Sequence, residues 1–141
     1  LSGKGQDNAE SIYQKLEDDK DKKPKTYMET FLNNRAQYYI GLADLMFNTY
    51  KCVVRGDYVD PDKMISFDSE GIENLIDLRS QLTRIPRVAN GKGLQQIMNK
   101  KEMKSNKIDS PNEGDCIMMA LFKPPIKKKR KALNYAKSNV V

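Results

Sequence analysis

Residues 110–122 read SPNEGDCIMMALF, and the reading of this stretch decides how the rest of the chain is understood. Asp115 stands at the mouth of a seven-residue apolar run, Cys116 to Phe122, in a chain with 25 Lys and Arg against 19 Asp and Glu. Ser110, Pro111 and Glu113 spell a helix start: serine at the N-cap, proline at the first helical position and glutamate closing a capping box. Asp115 is then already inside the helix, and the all-apolar run behind it predicts a helix buried on every side. A carboxylate entering such a helix must lie at its surface end, be paired, or bind a metal, because an isolated buried charge is costly. A first-turn acid answering the helix dipole is the commoner case. Asn112, three residues earlier on the same face, is either a second metal ligand or ordinary capping chemistry.

The totals narrow the chemistry. A chain of 141 residues, 38% of them hydrophobic, builds one core but hardly two. One compact unit over residues 1–122 with a basic tail over 123–141 is expected. No apolar run approaches the roughly 18 residues of a membrane span, and LSGKGQDNAE has no apolar signal core, so a soluble protein without membrane association is expected. Cys52 and Cys116 form no CxxC pair and there is no histidine, which leaves no zinc site and points to a reduced, intracellular setting. Without histidine, Ser/His and Cys/His catalysis are excluded, so hydrolysis would need carboxylates with a metal, or lysine. A net charge of +6 favours an anionic partner such as nucleic acid.

Along the chain, NAESIYQKLE (8–17) has helical apolar spacing, and the charged DDKDKKPKT that follows is an exposed connection. A long helix is expected over 27–47, burying Phe31, Ala36, Tyr39, Ile40, Ala43, Leu45 and Met46, with Asn33, Asn34 and Arg35 on its solvated faces. CVVRGDYVDPDKMISF reads as loop and short extended pieces with a turn at Asp60-Pro61, and its RGD tripeptide is a chance match. A core helix is expected over 69–83 from Ile72, Leu75, Ile76, Leu78 and Leu82. RIPRVAN and LQQIMNK flank Asn90-Gly91, a strong β-hairpin signal. Arg84, Arg87, Lys92, Lys100 and Lys101 would rim that hairpin, either against a phosphate backbone or as charges that keep exposed strands apart. SGKG and NGKG do not satisfy the P-loop pattern, so no nucleotide site is read. In the tail, KKKRK, with Lys128, Lys129 and Arg130, can bind phosphates nonspecifically.

KKEMKSNKIDSPNEGDCIMMALF resembles the end of the nuclease domain of large terminase subunits from tailed bacteriophages, where a Lys-rich stretch leads into Ser-Pro-(Asp/Asn) and then an Asp that opens a buried helix. FLNNRAQYYIGLADLMF is similar to the helix with an Asn-(Lys/Arg)-(Arg/Lys)-Ala core that precedes it, and residues 60–97 to the helix and hairpin between. The resemblance spans residues 27–122. It implies an α/β, ribonuclease-H-like fold, a mixed sheet flanked by helices with a β-hairpin, and metal-dependent cutting of concatemeric viral DNA during packaging. Two divalent ions, Mg²⁺ or Mn²⁺, about 4 Å apart, would activate a water and stabilise the leaving oxygen. Asp115 matches the family's last acidic ligand. Asn112 stands where many relatives carry Asp.

The resemblance also places the first strands of the fold, and the translocating ATPase domain, outside this sequence. The opening LSGKGQDNAESIYQKL is similar to the family's D-x-x-G-x-G turn and helix, with the second metal-binding acid one residue before Leu1. Asp7 and Glu10 are poor substitutes, so an incomplete site is expected. Implied partners are double-stranded viral DNA, the small terminase subunit and the portal, in the cytoplasm of a bacterial host carrying the phage or prophage. The competing reading is a noncatalytic DNA-binding or packaging-complex interaction module built on the hairpin rim and the tail.

Overall fold

The computed structural model describes residues 10–13 and 23–122. Strand β1 (Ile12–Tyr13) pairs antiparallel with β2 (Lys25–Thr26), Ile12 opposite Thr26 and Tyr13 opposite Lys25. The helix expected over 8–17 is therefore corrected where the structure describes it: Ile12–Tyr13 is extended, Glu10 and Ser11 form a turn and bend before it, and the Ser11 carbonyl accepts the amide of Tyr27. Paired edges satisfy peptide groups that a short helix would leave open at both ends. The remainder of that stretch, Asp7 and the tail with Lys128, Lys129 and Arg130 lie outside the described residues.

The long helix expected over 27–47 is two helices. Thr26 caps α1 (Tyr27–Thr30) through a capping box with Glu29, whose carboxyl is held below its ordinary value by the Thr26 backbone amide and hydroxyl. Phe31 then turns extended, and Asn33 caps α2 (Asn34–Tyr50) by accepting the Ala36 amide. The break drives Phe31 to full burial, where Tyr13 meets its ring edge-on at 4.7 Å. In α2 the buried face is Ala36, Gln37, Tyr38, Tyr39, Ile40 and Leu42, while Ala43 and Met46 are exposed and Leu45 is half-buried. Gly41 has a packing role: a Cβ there would stand 3.0 Å from the Phe122 ring, which stacks on Tyr38.

After α2 the chain does not loosen at once. Lys51–Arg55 forms a π-helical turn closed by left-handed Gly56, and Asp60 caps a 3₁₀ turn at Pro61–Lys63. The core helix expected over 69–83 shortens to α3 (Leu75–Thr83), because Asn74 captures the Asp77 amide as N-cap. Leu78 and Gln81 face inward, whereas Ile76 is 84% exposed.

The hairpin expected around Asn90-Gly91 is present as two antiparallel arms joined by a single bridge, Arg87 with Ile97. Asn90 organises its turn, accepting the amides of Lys92 and Leu94 and donating to the Leu94 carbonyl, with Gly93 at φ +67°. The second arm, residues 94–98, also lies parallel to residues 30–32, exchanging Leu32 N–H to Gln95 O and Gln95 N–H to Thr30 O. It stops early because Asn99 closes a capping box with Glu102 and starts α4 (Lys100–Ser105). Among the described residues the regular sheet is β1 and β2 alone, so the fold shown is mixed α/β and the larger mixed sheet is not seen.

Candidate functional site

Helix α5 (Asn112–Leu121) begins differently from its sequence reading. Pro111 is the N-cap, and no side chain of its own segment caps the helix. Gln81 of α3 does so from outside, its Oε1 accepting the Glu113 amide at 2.9 Å and the Gly114 amide at 3.4 Å. The capping box of Ser110 and Glu113 does not form. Nor is α5 buried all round: Met118 is buried, but Cys116, Met119 and Leu121 are exposed, because the described elements cover only the face toward α2 and α3.

Asp115 lies on that covered face, with its side chain 10% exposed. The Tyr39 hydroxyl donates to Oδ1, and the Arg35 guanidinium stands 3.8 Å from the same oxygen. Lys100 Nζ approaches Oδ2 at 2.5 Å from the first turn of α4. Arg35 and Tyr39 are one turn apart on α2, the guanidinium 5.1 Å above the Tyr39 ring, with Arg35 Nη1 donating to the Met98 carbonyl at 2.7 Å. Burial first, and the bond to Asp115 second, push the Tyr39 hydroxyl well above its ordinary range, so it stays a donor. Of the roles open to Asp115, the structure shows a paired carboxylate.

An open pocket of about 370 Å³ fronts this cluster, lined by Arg35, Lys100 and Asp115, by Asn33 and Asn99, and by an apolar wall of Ile97, Met118 and Met119. Two cations against one carboxylate leave a surplus of positive charge. Asp115 is the pocket's one carboxylate, and no group of three His, Cys, Asp or Glu side chains is placed for a metal among the described residues. Both oxygens of Asp115 already face protein donors. A hard ion such as Mg²⁺ is commonly held by one or two carboxylates with waters completing its shell, and among the described residues Asp115 is the single carboxylate that the pocket offers to such an ion.

Of the other sequence-derived candidates, Asn112 is the exposed first residue of α5 and does not line the pocket. Arg84 is half-buried, 3.9 Å from Asp109. Arg87 and Lys92 are exposed on the hairpin, and Lys101 is exposed on α4. Lys100 leaves the expected rim altogether and joins Asp115. The sequence reading missed Arg35, expected in solvent, and the hydroxyl role of Tyr39. The available signal was their i, i+4 spacing just after an Asn cap.

No family model and no curated protein matches the chain. Solved structures do. The nuclease domain of the large terminase subunit gp2 of bacterial virus Sf6 is similar at 45% identity and a TM-score of 0.67, over 71% of this chain and 45% of that one. A single-substitution mutant of that domain with manganese gives 44% identity and 0.66, over 70% and 46%. One with calcium gives 44% and 0.67, over 71% and 45%. The chain spans less than half the length of these structures.

Proposed function

We propose, from the premise that this chain belongs with the nuclease domains of phage large terminase subunits, that it serves metal-dependent phosphodiester hydrolysis of double-stranded viral DNA during packaging. The reading includes a ribonuclease-H-like parent fold, Mg²⁺ or Mn²⁺ as the ion, and the bacterial host cytoplasm as the setting, with the small terminase subunit and portal as partners in the packaging complex. Structures of the similar domain with manganese and with calcium support a divalent ion. One observation carries the site: Asp115, nine-tenths buried, sits at an open pocket between two cations.

Within that reading, this chain's own residues have definable tasks. Lys100 and Arg35 make the pocket attractive to a DNA phosphate, which charge-assisted hydrogen bonds would hold. Asp115 supplies the carboxylate, and the neighbouring cations keep it in one place. Arg87, Lys92 and Lys101, exposed away from the buried cluster, suit sequence-independent backbone contacts. Those same exposed cations favour the second reading, a noncatalytic DNA-binding module.

Plasmid cleavage in Mn²⁺, by a terminase protein that includes this sequence, separates the two. Asp115→Asn is expected to lower cleavage by roughly 10³-fold or more while leaving salt-sensitive DNA binding in place. Cleavage that survives the substitution removes Asp115 from the chemistry. Binding with no metal-dependent cleavage in the parent protein favours the module.

A further inference from the structure

We propose that Tyr39 is a positioning residue for Asp115, its hydroxyl fixing Oδ1 on the α2 side so that Oδ2 is the oxygen presented to Lys100 and the pocket. The proposal rests on the reading of Asp115 as the working carboxylate.

A carboxylate on a helix can turn about its side-chain torsions and present either oxygen. Here the two oxygens have different surroundings. Oδ1 receives the Tyr39 hydroxyl and faces Arg35, both from α2. Oδ2 faces Lys100, whose side chain is 54% exposed at the pocket. Tyr39 itself has little freedom, being 7% exposed with the Arg35 guanidinium stacked on its ring. Arg35 is in turn tied to the Met98 carbonyl. The donor is thus anchored from below and the acceptor is held where the donor points. Such indirect support commonly sets how well a ligand or catalytic group works.

The close approach depends on Gly114. A Cβ there would stand 3.2 Å from Leu82 and 3.7 Å from the Tyr39 hydroxyl, so the residue beside Asp115 leaves room for α5 to settle against α2 and α3. The neighbouring tyrosine supplies an internal control. Tyr38 is 3% exposed and stacks on Phe122, but its buried hydroxyl finds no partner among the described residues. Packing alone therefore accounts for the ring at 38, whereas at 39 the hydroxyl itself has a partner.

The test compares Tyr39→Phe with Tyr38→Phe in the whole 141-residue chain. Carbon-13 NMR of the side-chain carboxyls identifies the Asp115 resonance by its loss in Asp115→Asn. Tyr39→Phe is expected to move that resonance and Tyr38→Phe to leave it in place. In plasmid cleavage by the terminase protein, Tyr39→Phe is expected to lower kcat roughly 10- to 100-fold with KM unchanged, and Tyr38→Phe to retain the parent kcat. An unmoved resonance in Tyr39→Phe overturns the proposal. So does an unchanged kcat in a protein whose activity Asp115→Asn abolishes. If Asp115→Asn still cleaves, it is the catalytic reading that fails, and the resonance alone decides whether Tyr39 holds the carboxylate.

Discussion

The two ends of α2 are held to the rest of the molecule by opposite means. At the first end, Ala36, Tyr38, Tyr39, Ile40 and Leu42 are buried in the ordinary way, apolar side chains inward. At the second, the polar residues are the anchors. Asn48 donates to the Lys63 carbonyl, and Thr49 both donates to the Ile65 carbonyl and accepts its amide, while Phe47 and Tyr50 remain 41% and 47% exposed. Arg55 lies over both of those rings, and Lys51 over Phe47. One helix of similar apolar content throughout thus changes its principle of attachment midway. The site lies at the conventionally packed end, where a carboxylate can be held still.

Removing the keystone of the packed end should have the largest effect on that contrast. Phe31→Ala empties a fully buried position between β1, α1 and α2 and is expected to cost about 3–5 kcal/mol, measured by chemical denaturation. Should the loss be below about 1 kcal/mol, the packed end is not held by its apolar contacts. At the other end the expectation reverses. Asn48→Ala should cost about 1–2 kcal/mol through the stranded Lys63 carbonyl, whereas Val53→Ser, at a side chain 76% exposed, should stay within about 0.5 kcal/mol. Equal losses would erase the distinction between the ends.

The smallest effect is conditional on pH. The Tyr39 hydroxyl is raised above its ordinary value of 10.0 by burial and by Asp115, and Tyr27 is raised by burial and by Asp44. Below pH 10 both folded and unfolded chains keep these protons and nothing changes. As pH rises above 10, the unfolded chain releases them before the folded one does, so stability falls. Melting temperatures recorded from pH 7 to strongly alkaline conditions should decline less steeply in Tyr39→Phe.

What could be read from the sequence follows the range of the interactions. The turn at Asn90 and the turn at Asp60-Pro61 depend on neighbours within four residues, and each is found at its expected place, whereas α5 begins near its expected place but takes its cap from distant Gln81 rather than from Ser110 and Glu113. The break at Phe31 was also local, but a cap at Asn33 competes with continuous helical periodicity, and periodicity misled. The cluster around Asp115 is another matter. Arg35 meets Met98 across 63 positions, Tyr39 meets Asp115 across 76, and Gln81 meets Glu113 across 32. Each of these polar side chains looks solvated from its own segment, since nothing nearby announces a distant partner. Burial was misjudged for the same reason at Ile76, Met119 and Leu121, where apolar spacing was sound and no covering element is described.

The second arm of the hairpin, residues 94–98, has a temporal consequence. It bonds on one side to residues 30–32 and on the other to residues 86–88. The pairing with residues 86–88 is a local hairpin, but the pairing with residues 30–32 requires a long loop to close before any contact rewards the lost chain entropy. A largely helical chain is therefore expected to fold at the slower pace of one with distant strand pairing. During synthesis Tyr39 precedes Asp115 by 76 positions, so its hydroxyl can gain this partner only after the start of α5 has been made.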